Sequence, residues 1–381
     1  MREGWEYKRL GELCDIVMGQ SPMGNSINEN NGIEFHQGKT NFGDKFLMES
    51  GIYTTSPIRI AEKKTILLCV RAPVGIINIT ERQVCIGRGL SSLKPRLGLE
   101  LLYLYYCLLS KQNYFESNST GSTFKAISSK VINNTIIQFP PKPTQLSIVS
   151  ELDKLNELIQ IKKEQLKDYD VLAQSIFYEM FGDPVENEKG WEVKTLGDIC
   201  EITSSKRVFA NEYVDTGVPF YRSKEVIEKS KQLPISVELY ISESHYNKIK
   251  SSFGVPQIGD ILVTAVGTIG KIWVVDTNEP FYFKDGNLVW LRNIKGAHCE
   301  YFRYSIFYLI DEYKKVNANG AAYNALTIAK LKLMRCPLPP LSLQQSFAHK
   351  IEQIERQKAA VQSTIKDLET LLAARMQYWF D

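Results

Sequence analysis

From Leu146 to Phe181, apolar and aromatic side chains recur at alternating four- and three-residue steps: Ile148, Leu152, Leu155, Ile159, Lys162, Leu166, Tyr169, Ala173, Ile176 and Met180. Only Lys162 breaks the apolar character, so the stretch reads as a heptad seam on a long helix. Neither glycine nor proline interrupts it. Pro140, Pro141 and Pro143 precede it, Thr144 is placed to cap it, and Gly182 with Pro184 stops it. At 1.5 Å per residue such a seam is about 50 Å long and must bury against something.

The partner is spelled out in the same chain. Gly4-Trp5-Glu6-Tyr7-Lys8-Arg9-Leu10-Gly11-Glu12-Leu13-Cys14-Asp15-Ile16 returns as Gly190-Trp191-Glu192-Val193-Lys194-Thr195-Leu196-Gly197-Asp198-Ile199-Cys200-Glu201-Ile202, with eight of thirteen positions identical. Further pairs follow in order: Ile66-Leu67-Leu68 with Ile261-Leu262-Val263, Gly75 with Gly270, Gly121 to Ile127 with Gly320 to Leu326, and Pro140-Pro141 with Pro339-Pro340. The chain is an internal duplication. Its second copy is longer mainly between Phe220 and Ile261, a stretch that reads as a surface excursion. Leu99 to Ser110 and Tyr301 to Ile310 read as short core helices. The second copy also closes with a seam: Phe347, Ile351, Ile354, Lys358, Val361, Ile365, Leu368, Leu372, Arg375 and Trp379. Pairing the two seams antiparallel sets residue 148 opposite 379, 155 opposite 372, 166 opposite 361 and 169 opposite 358. Lys162, Lys358 and Arg375 then face carbon-rich partners, from which long basic side chains can snorkel.

The predicted architecture is α+β. Two globular α/β domains, 1–143 and 190–340, are joined by two long helices, 144–182 and 341–381, in an antiparallel coiled coil with internal pseudo-two-fold duplication. Hydrophobic residues are 44% and charged ones 23%, which suits a globular chain. The longest apolar run, Leu101 to Leu109, is too short to span a bilayer, and no apolar leader follows Met1. Seven scattered cysteines without a C-x-x-C suit a reducing cytoplasm and argue against a zinc cluster. His36, His245, His298 and His349 lack ligand spacing, so no metal site is expected. Phosphate-binding G-x-x-x-x-G-K-[ST], nucleophile-elbow and H-E-x-x-H motifs are missing, as is the polar-Pro-Pro-aromatic stretch of amino-methyltransferases. The basic excess sits in the domains: residues 1–143 carry 17 Lys/Arg against 12 Asp/Glu, whereas 144–182 carry 4 against 7. That is a mild lean toward a polyanion.

Taken together, these pieces resemble a known family. Gly4-Trp5…Leu10-Gly11 and Gly190-Trp191…Leu196-Gly197 open each copy; Pro140-Pro141…Gln145-Leu146-Ser147-Ile148-Val149 and Pro339-Pro340…Gln344-Gln345-Ser346-Phe347-Ala348 close each; Tyr178-Glu179-Met180-Phe181-Gly182-Asp183 joins them. In this order, over the whole chain, they are similar to the specificity subunit of type I restriction–modification systems. The resemblance implies two target recognition domains, each reading half of a bipartite DNA site, spaced by the coiled coil. It also implies two modification subunits as partners, which bind S-adenosylmethionine, and restriction subunits that use ATP and Mg²⁺. The specificity subunit would hold no cofactor and no catalytic residue of its own. A stand-alone DNA methyltransferase and a non-DNA coiled-coil scaffold are the alternatives.

DNA reading needs cations for phosphates, and amides or guanidiniums for base edges. Candidates in the first copy are Gln20, Ser21, Gln37, Lys39, Arg71 and Lys125. In the second they are Lys206, Arg207, Arg222, Lys224, Lys271 and Asn324. Each stands at a predicted loop or strand end beside glycine or small residues. Phe124 and Tyr323 read as packing residues that hold their loops, and Trp5 and Trp191 as anchors of the domain starts.

Overall fold

The computed structural model describes residues 4–121, 125–317 and 325–381. Two compact units emerge, Met1–Glu164 with Gln362–Asp381, and Gln165–Val361. The long helices run Lys142–Phe181 and Leu341–Phe380, 40 residues each, or about 60 Å at 1.5 Å per residue. Each unit therefore combines one globular domain with a part of both helices.

In the first unit, strand Glu6–Arg9 pairs antiparallel with Ile136–Phe139 and brings the two ends of the domain together. A four-stranded antiparallel sheet has the order Cys14–Met18, Leu90–Pro95, Thr65–Cys69, Ile77–Thr80. A second sheet has the order Ile27–Asn28, Tyr53–Thr54, Ile33–His36, Val84–Ile86, Ile60–Ala61, with Ile33–His36 and Val84–Ile86 parallel. The apolar run at Ile66-Leu67-Leu68 is explained by burial on both faces. Ile66 and Leu68 enter one core, while Leu67 and Cys69 enter another.

The second unit repeats this plan. Glu192–Thr195 pairs with Arg335–Leu338, and one sheet has the order Glu201–Thr203, Leu288–Arg292, Ile261–Thr264, Ile272–Val274. Another has the order Tyr213–Val214, Tyr240–Ile241, Val218–Tyr221, Tyr282–Phe283, and again a single pair, Val218–Tyr221 with Tyr282–Phe283, is parallel. Ile261 and Val263 face one core and Leu262 another.

The copies share a buried clamp. Gln145 is fully buried; its Nε2 donates to Gly98 O at 3.0 Å and Pro140 O at 2.8 Å, and Glu100 N donates to its Oε1 at 2.9 Å. Gln344 does the same with Gly296 O, Pro339 O and His298 N at 3.3, 2.7 and 2.8 Å. Tyr103 OH donates to Gln138 O and Tyr301 OH to Pro337 O, at 3.0 and 2.8 Å. This explains the glutamine in each closing motif: it satisfies backbone groups at the bend into the helix.

Two expectations need correction. The stretch between Phe220 and Ile261 is no surface excursion. It forms helices Ser223–Ser230 and Glu243–Ser252, which bury Val226, Tyr246 and Ile249 against the sheets. The apolar helix of the second copy is also longer than expected, running Cys299–Asn317, whereas the first copy breaks at Lys111 into Leu101–Ser110 and Gln112–Ser117.

Within each unit the long helices lie antiparallel. In the first, the Arg375 guanidinium and Trp379 Nε1 both bond the Glu151 carboxylate, and Phe380 enters the core beside Tyr103. Trp5 stacks on Trp379, centroids 6.3 Å apart. In the second, Tyr169 OH donates to Gln357 Oε1 at 3.1 Å and Lys358 Nζ to Asp170 Oδ1 at 2.8 Å. Trp191 Nε1 donates to Phe181 O at 2.9 Å. The pairs Glu151–Arg375 and Tyr169–Gln357 lie within one residue of the register read from the seams. Lys358 and Arg375 differ from expectation: each pairs with an acid on the facing helix, since a carboxylate one residue off the seam is within reach of a long cationic side chain. Of the seam, Ile148, Leu152, Ile159, Phe347, Ile351, Ile354, Val361 and Ile365 are buried; Leu155, Leu166, Tyr169, Ile176, Leu368 and Leu372 are half-buried. Near its end the first helix buries Phe177 and Phe181 more deeply than Ile176, because Tyr301, Tyr304 and Tyr308 pack on that flank.

Candidate nucleic-acid interface

In the first unit, backbone pairing gathers most of the candidate residues at neighbouring strand ends. The turn Gly87-Arg88-Gly89 joins Val84–Ile86 of one sheet to Leu90–Pro95 of the other. Around it, Gln20 N donates to Ile86 O, Gly87 N to His36 O and Val70 N to Gly89 O, at 3.0, 2.8 and 2.9 Å. Ser21 Oγ donates to Gln37 Oε1 at 2.8 Å. Arg71 bridges to Ala126, and Ala72 N donates to Lys125 O at 3.0 Å. Gln20, Ser21, Gln37, Arg71 and Lys125 thus share one neighbourhood. Lys39 joins it through its neighbour: Gly38 packs against the turn, its Cα 3.5 Å from where a Cβ on Gly89 would lie.

Sequence reasoning missed Arg88. It is exposed at the tip of that turn, and its signal was the flanking pair of glycines. Among the described residues, Lys39, Arg71, Arg88 and Lys125 have no ion pair with a carboxylate within 4.0 Å.

Behind this edge, the strand carrying Gln37 is locked from below. Glu34 takes Arg82 Nε at 2.6 Å and Nη2 at 2.9 Å, Ser50 N at 2.6 Å and His36 Nε2 at 3.0 Å. Burial works to raise the Glu34 carboxyl, but the Arg82 and Ser50 hydrogen bonds prevail and hold it down at about 2. Burial lowers the His36 imidazole, against the pull of Glu34.

The second unit uses the same frame with different side chains. Lys284 N donates to Tyr221 O at 2.9 Å and Ala265 N to Asn287 O at 2.8 Å, the counterparts of the Gly87 and Val70 bonds. The turn here reads Lys284-Asp285-Gly286-Asn287. Asp285 takes Arg207 Nε at 2.8 Å. Lys206 N donates to Tyr282 OH at 2.6 Å, and its ammonium lies 4.6 Å from the Phe253 ring centroid. Arg222 bonds Glu225 at 2.8 Å and Glu238 at 2.9 Å, and Lys224 bonds Glu238 at 2.7 Å. Hydrogen bonds from Lys224 and Arg222 depress the Glu238 carboxyl, and Glu225 raises the Arg222 guanidinium. These cations are already partnered, unlike those of the first unit.

Lys271 does not share that edge. It lines a hollow of about 310 Å³ with Asp170, Gln174, Lys231, Arg303 and Tyr304. The backbone counterpart of Arg71 is Val266, because Leu326 N donates to Ala265 O as Ile127 N does to Val70 O. Asn324 lies outside the described residues, as do Phe124 and Tyr323.

Comparison with known proteins places this frame. The family model of the type I restriction modification DNA specificity domain matches residues 2–168 and 188–370, twice in one chain. Among sequences described as type I restriction enzyme specificity subunits, MjaX of Methanocaldococcus jannaschii is 34% identical over 178 residues, 46% of this chain and 42% of that one. MjaIX of the same organism is 27% identical over 259 residues, 59% of this chain and 58% of that one. The chain therefore spans about half the length of these relatives. In the solved structures, a chain from work on complex assembly and conformational transition of the type I R-M system superposes with a TM-score of 0.67 at 20% identity, covering 99% of this chain and 97% of that one. At that identity the likeness shows the fold.

Proposed function

The chain belongs to the type I restriction modification DNA specificity family, and from that premise we propose that it is the DNA-recognition subunit of a type I restriction–modification complex. Each globular domain reads one half of a bipartite site. The observation that carries this is one backbone frame used twice with different chemistry at the same strand ends: Gly87-Arg88-Gly89 with Gln37 in one domain, Lys284-Asp285-Gly286-Asn287 with Arg222 in the other. A duplicated scaffold with divergent tips suits two readers of different sequences. Domains 1–143 and 190–340 are the readers, and helices 144–182 and 341–381 set the gap between half-sites and dock two modification subunits.

The chemistry belongs to the partners: methyl transfer from S-adenosylmethionine to the modification subunits, ATP- and Mg²⁺-dependent work to the restriction subunits. The cysteines of this chain support a non-catalytic role, since burial pushes Cys14, Cys69, Cys107, Cys200 and Cys336 up to about 12 and leaves packed thiols. No described helix is long and apolar enough to cross a membrane, and we place the complex in the cytoplasm with its DNA. The test is methylome sequencing of cells carrying the system, with and without this chain. A bipartite adenine-methylated motif that vanishes on deletion is the expected result; a motif that persists refutes the assignment.

A further inference from the structure

We propose that Arg88 is a base-reading side chain of the first domain and that the base it takes is guanine. This rests on the DNA-recognition reading above.

The turn that carries Arg88 is fixed from several sides. Gly87 N donates to His36 O at 2.8 Å, Leu90 N to Gly87 O at 3.0 Å, and Val70 N to Gly89 O at 2.9 Å. The flanking glycines are there for space. Neither has a left-handed φ, yet a Cβ on Gly87 would lie 2.2 Å from Gln37 Oε1 and one on Gly89 would lie 2.4 Å from Gln37 O. Glycine at both places lets the Gln37 strand lie directly against the turn and leaves Arg88 as the one side chain projecting from it. Gln37 is itself aimed, because Ser21 Oγ holds its Oε1 at 2.8 Å.

Charge separates reading from mere attraction. Arg88 is exposed and, among the described residues, has no carboxylate partner, whereas Arg207 beside the matching turn is tied to Asp285 at 2.8 Å. Lys39, Arg71 and Lys125 stand on segments held beside this turn, Arg71 after the Val70 that bonds Gly89, Lys125 bonded to Ala72 N, and Lys39 after the Gly38 that packs on Gly89, and they supply cations for phosphates. That leaves the guanidinium at the tip for a base edge. Its planar fork matches the O6 and N7 acceptors of guanine with a pre-organised geometry that the flexible ammonium of a lysine lacks. The second domain places Asp285 and Gly286 at this tip, so the two domains ask for different bases there.

The test uses this chain assembled with its modification subunits, and duplexes carrying the target motif. Each guanine of both half-sites is replaced in turn by 7-deazaguanine, which lacks the N7 acceptor, and binding is measured for wild type, Arg88→Ala and Arg88→Lys. Wild type is expected to lose about 5- to 150-fold at one guanine in one half-site. Arg88→Ala should bind the 7-deaza and natural duplexes equally at that guanine and Arg88→Lys should retain at most part of the penalty, while penalties in the other half-site persist. An Arg88→Ala complex that keeps every penalty intact reduces Arg88 to a phosphate contact and overturns the proposal. So does a wild-type complex indifferent to 7-deazaguanine throughout. A wild-type complex that does not prefer the motif to unrelated duplex overturns the DNA-recognition reading along with it.

Discussion

Replacing Gln145 by leucine should destabilise the first unit by about 1–5 kcal/mol. Gln145 is fully buried and satisfies three backbone groups: Pro140 O, Gly98 O and Glu100 N. Leucine is nearly the same size, so no cavity opens and the loss is one of hydrogen bonding. Pro140 O is buried and loses its partner at about 1–3 kcal/mol. Gly98 and Glu100 are partly exposed, so water replaces those bonds in part, at about 0.5–1.5 kcal/mol each. The more apolar side chain returns about 1 kcal/mol, which gives the stated range. The assay is urea unfolding followed by circular dichroism, with tryptophan fluorescence of Trp5 and Trp379 for the first unit. Gln344→Leu should cost about as much in the second unit and leave the first unit's transition in place. A shift below about 0.5 kcal/mol for Gln145→Leu would refute the claim that this glutamine holds the bend into the helix.

Acid should destabilise the first unit in two steps. His36 is held below its ordinary 6.5, so its contribution is complete above 6.5 and declines as the unfolded imidazole takes a proton that the folded one refuses. Glu34 is held at about 2 instead of 4.5, so its contribution is complete above 4.5 and lost as pH falls toward 2. Urea midpoints over a pH series should show both windows, and Glu34→Gln should abolish the lower one. In DNA binding, Lys39→Ala, Arg71→Ala and Lys125→Ala should each reduce the salt slope by about 1, whereas Lys224→Ala, already bonded to Glu238, should change it much less. Inserting one heptad at matching points of both helices adds about 10 Å and should lengthen the spacer by about three base pairs; an unchanged spacer removes the helices as rulers.

What the sequence disclosed was what periodicity and repetition encode. A heptad seam survives in one dimension because helix neighbours are three and four residues apart, and the repeated Gly-Trp and Pro-Pro…Gln motifs mark where each domain begins and bends. The antiparallel register followed from aligning the seams. Side-chain partnership did not follow, because it joins residues far apart in the chain: Glu238 reaches back to Lys224 and Arg222, and Asp285 to Arg207. Arg88 stayed hidden because Gly-Arg-Gly reads as an ordinary turn until Gln37 and Val70 are laid beside it. Lys271 is not the backbone counterpart of Arg71 because the alignment rested on Gly75 and Gly270, while the matching backbone bonds of the two frames involve Val70 and Ala265. The helices after Phe220 were missed because they have no counterpart in the first copy against which to read them.

The central claim is that each domain reads its own half-site independently on a common frame. It is tested most directly by a chain in which residues 4–139 are copied into the place of 190–338, with both long helices kept. Methylome sequencing of cells carrying that chain with its modification subunits should return a symmetric bipartite motif, in which the half read by the first domain appears twice in inverted orientation with the spacer retained. A motif that keeps two different halves would contradict the account.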